Sequence, residues 1–230
     1  MKLNPSNQLE LIIHGNVLKN LILLYQEDKL PNKILLKGQK GIGKSTLAYH
    51  LINFVLSKNE DFPYNIDHFK IDEKNRSFKL INNGSSPNFF LIDIQADKKN
   101  INIDQIRKII QDLNKSSLNN KPKFVLIDNS EYLNKNSINV LLKEIEEPND
   151  NIYFILIQNQ KTLLSTLTSR FIKFNINLTN KESNLIINKL INEDIHNLVN
   201  SDFINYYFSP GNVYRICLLY TSDAADDLTR

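Results

Sequence analysis

Apolar residues occur along this chain in two kinds of run, and the two kinds alternate. Short unbroken runs fall at Ile34 to Leu36, Phe89 to Ile92 (FFLI), Phe124 to Ile127 (FVLI) and Tyr153 to Ile157 (YFILI). A strand covered on one face would alternate with polar residues, so unbroken runs predict strands buried on both faces, as in parallel sheets. A fifth, alternating run is marked by Ile172, Phe174 and Ile176. Between these lie stretches with helical spacing. Leu47, Leu51 and Val55 recur beside Ala48, Ile52 and Leu56; Ile106, Ile109, Ile110 and Leu113 follow a capped start at Asn102-Ile103-Asp104-Gln105; and Ile138, Leu141, Leu142 and Ile145 follow about Asn136, with Pro148 beyond. Leu18, Leu21, Ile22 and Tyr25 predict a further helix within residues 9–25. Strands alternating with helices predict a doubly wound α/β domain.

Residues 58–88 interrupt the pattern. They are polar and aperiodic, with weak alternation from His68 to Ile81, and read as an insertion between sheet elements. His50 and His68 have no partners at metal-ligand spacing, and surface roles are expected for both. From Leu178 the pattern shifts to short helical pieces, first Leu185, Ile186, Lys189 and Leu190, then Phe203, Ile204 and Tyr207, ending near Ser209-Pro210-Gly211. The expected organisation is a nucleotide-binding domain over residues 1–177, a small helical lid over 178–216, and a tail over 217–230. In that tail Ala and Asp replace the Asn/Ile/Lys bias of everything before it, so it reads as foreign to the preceding sequence.

Composition narrows the class. Within 230 residues, 41% hydrophobic and 23% charged content suits a globular fold with one good core. A net charge of +3 permits contact with nucleic acid without arguing for it. Cys217 is the only cysteine, which excludes an internal disulfide and a cysteine-built zinc site and fits a reducing cytoplasm. No run approaches the ~18 apolar residues of a membrane span.

The chemistry is concentrated in KGQKGIGKST, residues 37–46, between the first strand and its helix. Gly38-x4-Gly43-Lys44-Ser45 is a P-loop spacing. Glycines allow positive φ and bring consecutive N–H groups against phosphate oxygens, Lys44 reaches the β- and γ-phosphates, and the Ser45 hydroxyl ligates Mg²⁺. The helix after the loop turns its positive dipole end to the same anion. Gly38, Gly41, Gly43, Lys44, Ser45 and Thr46 are therefore the candidate contacts for ATP with Mg²⁺. Asp128, directly after FVLI, is the candidate metal-orienting acid. Asn129 follows it where a hydrolysing site would carry a Glu; Glu131, three residues past Asp128, is the weaker substitute. Gln158 and Asn159 end the fourth strand where its tip would meet the γ-phosphate. Arg170, in Ser169-Arg170-Phe171, is a candidate finger reaching into another subunit's nucleotide.

Together these residues resemble the delta-prime subunit of the bacterial DNA polymerase III clamp loader, within the AAA+ ATPases. The resemblance rests on HGN (14–16), LPNKILLKGQKGIGKSTLAYHL, SSPNFFLID (85–93), INIDQIRKI (101–109) and above all VLIDNSEYLNKNSINVLLKEIEEPNDNIYFILIQNQKTLLSTLTSRF (125–171), with SPGNVYR at the lid's end. It implies a RecA-like five-stranded sheet of order 5-1-4-3-2 with helices on both faces, then a three-helix lid. It implies a place in a ring with delta and gamma/tau subunits that opens the sliding clamp and loads it on primed DNA. In that ring this subunit is largely a stator whose Ser-Arg-Cys arginine enters the neighbour's ATP site. Ser169 and Arg170 match that motif and Phe171 departs from it. The cysteine clusters of zinc-bearing members are missing, so no zinc is expected. Asn129 replaces the catalytic acid and Asn212 stands where the lid's sensor arginine falls, unless Arg215 substitutes. The family's C-terminal collar domain is missing from the sequence, which bears on ring assembly.

The leading expectation is an ATP-binding, hydrolysis-poor clamp-loader subunit lending Arg170 in trans. The alternatives are a hydrolysing gamma/tau-like motor using Glu131 and, third, a small P-loop kinase, which nothing in the sequence resembles. DNA contact is expected through phosphates and lysines, without sequence reading.

Overall fold

The computed structural model describes residues 4–95, 98–115, 119–146, 151–159, 163–191 and 209–216. Its centre is a five-stranded parallel sheet, β1 (Lys33–Lys37), β2 (Phe89–Ile92), β3 (Lys123–Ile127), β4 (Ile152–Gln158) and β5 (Ile172–Asn175), in the order β2-β3-β4-β1-β5. This is the order 5-1-4-3-2 read from the other edge. The helices are α1 (Gly15–Gln26), α2 (Lys44–Ser57), α3 (Arg76–Asn82), α4 (Ile103–Leu113), α5 (Lys135–Glu146), α6 (Ser165–Thr168) and α7 (Asn180–Ile191), with further helical turns at 210–216.

The unbroken apolar runs are explained by burial on two faces. Ile34, Leu36, Phe124, Leu126, Ile155 and Ile157 join a core with α1 and α2, while Leu35, Val125, Ile127, Phe154 and Leu156 join a second core with α4 and α5. Successive strand residues point to opposite faces, so both parities must be apolar. A small third core pairs Ile187 of α7 with Val213 of the helical turns at 210–216.

Three expectations are corrected. The first helix begins at Gly15, because residues 9–11 are drawn into backbone pairing with the insertion: Leu11 N–H donates to Phe69 O (3.0 Å) and Ile71 N–H to Leu9 O (2.8 Å). The insertion is helical, not alternating, over Arg76–Asn82. Asn75 caps that helix by accepting from Phe78 N–H at 2.7 Å, and its buried amide is tied to Asn53 of α2 (3.0 Å) and to Phe62 O (2.6 Å). His50 is not on the surface but 0% exposed, inside α2 between Gln8 and Tyr64. A carbonyl only accepts, so Nε2–H donates to Gln8 O (3.1 Å) and Nδ1 accepts from the Tyr64 hydroxyl (2.8 Å). His68 is exposed, as expected. The expected Phe203, Ile204 and Tyr207 helix, Pro148 and the 217–230 tail lie outside the described residues.

Candidate nucleotide site

Gly38 to Gly43 connects β1 to α2 at the carboxyl end of the central sheet, where α/β folds gather their ligands. Gly41 (φ +83) and Gly43 (φ +90) hold left-handed conformations. Gly38 is glycine for space: a Cβ there would come within 2.2 Å of Ile176 O. His14, itself at φ +72, hydrogen-bonds to the loop through Nε2 and Ile42 O at 2.7 Å. Sequence reading quoted HGN only as part of a likeness and missed this contact.

Lys44 opens α2 and is 3% exposed. Its ammonium donates to Gly38 O (3.0 Å), Gln39 O (2.5 Å) and Asn159 Oδ1 (2.9 Å), which brings the tip of β4 to the loop. Burial pushes its pKa down to about 8, against the attraction of Asp128 and Glu131. Ser45 Oγ donates to Asp128 Oδ2 at 2.6 Å, so the two expected metal-orienting groups meet across 83 residues of chain. Removal from water raises the Asp128 carboxyl above its ordinary value, opposed by the Ser45 bond and reinforced by the Asp93 charge. Thr46 lies half-buried in the first turn of α2.

Asn129 occupies a left-handed position (φ +50), which Asn tolerates better than Glu. Its side chain bridges two strand tips, with Nδ2 donating to Asp93 Oδ1 (2.8 Å) and Oδ1 accepting from Asn159 Nδ2 (3.0 Å). Glu131 sits in the 3-10 turn Ser130–Tyr132, where Oε2 accepts from Asn159 N–H at 3.3 Å. Of the two residues ending β4, the Asn159 side chain joins the cluster, while Gln158 is buried and its carbonyl accepts from Gly38 N–H at 3.2 Å. Asp93, carried in the sequence only as the last residue of the SSPNFFLID likeness and given no role there, completes it.

The helical turns at 210–216 touch the loop by backbone. Gly211 N–H donates to Gly41 O at 2.9 Å, and a Cβ on Gly211 would stand 2.9 Å from Gly41 Cα. Asn212 and Arg215 lie on the helical turns that follow, both at least partly exposed.

The structure does not bring Arg170 to this cluster. β5 lies parallel to β1 with Asn175 beside Lys37, and Arg170 precedes β5, so it is at the amino edge of the sheet, roughly 15 Å along the strands from the loop. There its guanidinium bonds Thr166 O and the Glu146 carboxylate.

The glycine loop between a central strand and its helix, with Lys44 and a Ser45–Asp128 pair over the tips of a parallel sheet, defines a P-loop α/β protein with the strand order of the AAA+ fold. The chain belongs to the DNA polymerase III, delta subunit family, whose model matches residues 13–180. It is 31% identical over 160 residues to the DNA polymerase III subunit delta' of Bacillus subtilis (strain 168), covering 69% of this chain and 46% of that protein. With the delta' subunit of Buchnera aphidicola subsp. Schizaphis graminum (strain Sg) it shares 30% identity over 186 residues, 78% of this chain and 54% of the relative. The DNA polymerase III subunit gamma of the same Buchnera is 26% identical over 182 residues, 79% of this chain and 48% of that one. The chain thus spans about half the length of the curated relatives it matches. Among solved structures, the RuvB Holliday junction branch migration motor of Thermotoga maritima has a TM-score of 0.49 at 21% identity, over 82% of this chain and 56% of that chain. Among the described residues no helix is long and apolar enough to cross a membrane.

Proposed function

We propose that this chain is a nucleotide-binding, hydrolysis-poor subunit of a DNA polymerase III clamp loader that lends Arg170 to a neighbouring ATPase subunit. The observation that carries this reading is the pairing of a well-formed phosphate loop with the wrong residue for hydrolysis. Lys44, Ser45 and Asp128 are assembled, yet the side chain after Asp128 is an amide committed to two hydrogen bonds. The loop fits a nucleotide: its positive-φ glycines free the backbone N–H groups, and a buried lysine is held by neutral carbonyl partners that a phosphate anion can replace. Gly38 to Thr46 would hold the phosphates of ATP, and Ser45 with Asp128 would hold Mg²⁺, which when bound neutralises phosphate charge. Lys44 supplies a fixed cation and Asn159 positions it.

Glu131, whose carboxylate reaches the Asn159 backbone beside Asn129, is the candidate stand-in for the missing base, and it favours the second reading, a hydrolysing gamma/tau-like motor. Its carboxylate accepts from the Asn159 backbone, which holds it in a structural bond. Arg170 supports the first reading through its position, since a residue at the amino edge of the sheet serves a phosphate on another subunit better than its own. The partners in this account are delta and gamma/tau subunits in a ring, acting in the cytoplasm on the sliding clamp and primed DNA.

The test is Arg170→Ala in the full-length protein assembled with its ATPase partners. The DNA-stimulated ATPase rate is expected to fall by about tenfold or more, while nucleotide binding at this chain's own phosphate loop is unchanged. An unchanged rate in an intact assembly would sink the proposal.

A further inference from the structure

The tips of β2, β3 and β4 carry a continuous chain of side-chain hydrogen bonds ending on the phosphate-loop lysine. Asp93 Oδ1 accepts from Asn129 Nδ2 (2.8 Å), Asn129 Oδ1 accepts from Asn159 Nδ2 (3.0 Å), and Asn159 Oδ1 accepts from Lys44 Nζ (2.9 Å). The chain has only one consistent polarity. Asp93 Oδ1 also accepts from Ile94 N–H at 2.7 Å, so it faces two donors and acts as an acceptor. That forces the NH₂ of Asn129 toward Asp93 and its carbonyl toward Asn159. Asn159 must then spend its NH₂ on Asn129 and turn its carbonyl oxygen to Lys44, which as a donor asks for the same oxygen from the other end; the Asp93 end is the constraint that remains when phosphate draws Lys44 away. The Asn159 backbone is held as well, by Glu131 at 3.3 Å.

We propose that Asp93 is a specificity-determining positioning residue: acting through Asn129, it locks the Asn159 amide with its carbonyl, not its NH₂, toward Lys44 and the terminal phosphate, so that the site binds nucleoside di- and triphosphates almost alike. The inference rests on the nucleotide-binding reading above. Lys44 is the group that reaches β- and γ-phosphates in a loop of this spacing, and Asn159 lies one hydrogen bond beyond it. An NH₂ at that place would donate to a γ-phosphate oxygen and reward the triphosphate. A carbonyl oxygen offers the γ-phosphate nothing and serves only to hold the lysine. Because Asp93 pins the far end of the chain, Asn159 does not flip when phosphate draws Lys44 away.

The test measures MgATP and MgADP affinities of the chain by calorimetry, for wild type, Asp93→Asn, Asp93→Leu and Asn129→Gly. Glycine tolerates the φ of +50 at position 129, so the last variant cuts the chain at its middle without backbone strain. Wild type is expected to bind the two nucleotides within about threefold of each other. Asp93→Asn keeps an acceptor oxygen and should match it. Asp93→Leu and Asn129→Gly should favour ATP by about tenfold, the worth of one hydrogen bond to a charged group. In the protein without nucleotide, the Asn159 side-chain NH₂ resonances should shift in Asp93→Leu and return to their wild-type positions in Asp93→Asn. Wild type already preferring ATP more than tenfold, or an unchanged ratio in folded Asp93→Leu and Asn129→Gly, would overturn the proposal. So would unmoved NH₂ resonances, which test the chain of bonds without any nucleotide. Wild type binding neither nucleotide defeats the underlying reading instead, and shows before any variant is compared.

Discussion

Lys44 and His50 sit six residues apart on α2, and burial acts on both in the same direction with different consequences. For Lys44, burial lowers the pKa to about 8. A bound phosphate stabilises the charged form, so binding takes up a proton wherever the free lysine has lost one. Affinity for MgATP should therefore be flat below pH 8 and fall above it, approaching tenfold per pH unit, and calorimetry from pH 7 to pH 9.5 checks this. For His50, burial lowers the pKa from its ordinary value near 6.5 to about 4, and the imidazole is neutral in the folded chain. The unfolded chain takes up a proton below about pH 6.5 and the folded one does not until about pH 4. The stability owed to His50 is thus complete above pH 6.5 and is lost as pH falls toward 4, by up to about 3 kcal/mol. Urea unfolding at pH 7 and pH 5 should show a drop in wild type that is smaller in His50→Gln.

At the scale of elements, the Gly41–Gly211 contact joins the helical turns at 210–216 to the phosphate loop. No left-handed φ is found at Gly211, so Gly211→Ala tests the contact without backbone strain: its methyl would meet Gly41 Cα at 2.9 Å and Gly41 O at 3.1 Å. The expected result is a several-fold loss of nucleotide affinity with the thermal midpoint of the sheet domain nearly unchanged. The strands and the loop were legible in the sequence because their signals are local. FVLI and YFILI need both parities apolar, and Gly38 to Ser45 carries its chemistry within eight consecutive residues. α3 was not legible, because its cap Asn75 works through Asn53 and Phe62, contacts that only the fold supplies. His50 was misread because it lies off the apolar stripe of Leu47, Leu51 and Val55, and only the fold brings Gln8 and Tyr64 over that side of α2. Asp93, Asn129 and Asn159 could not be joined from spacing, since 36 and 30 residues separate them until the sheet order β2-β3-β4 brings their tips together.

Across the whole molecule, the two groups with the most direct chemistry lie on opposite edges of one sheet. The phosphate loop and its Asn159 are at the carboxyl edge; Arg170 is at the amino edge, exposed and held by Glu146. In the proposed function, a subunit with this layout would receive a nucleotide at one end of the sheet and offer a cation from the other, as a link in a ring. The central claim is that this link binds nucleotide and does not turn it over. The measurement that tests it most directly is MgATP binding and single-turnover hydrolysis by this chain beside Lys44→Ala. The account predicts saturable binding that weakens by about thirtyfold or more in Lys44→Ala, with no phosphate released by wild type. Phosphate release that disappears in Lys44→Ala would contradict it, and would move the catalytic role to Glu131.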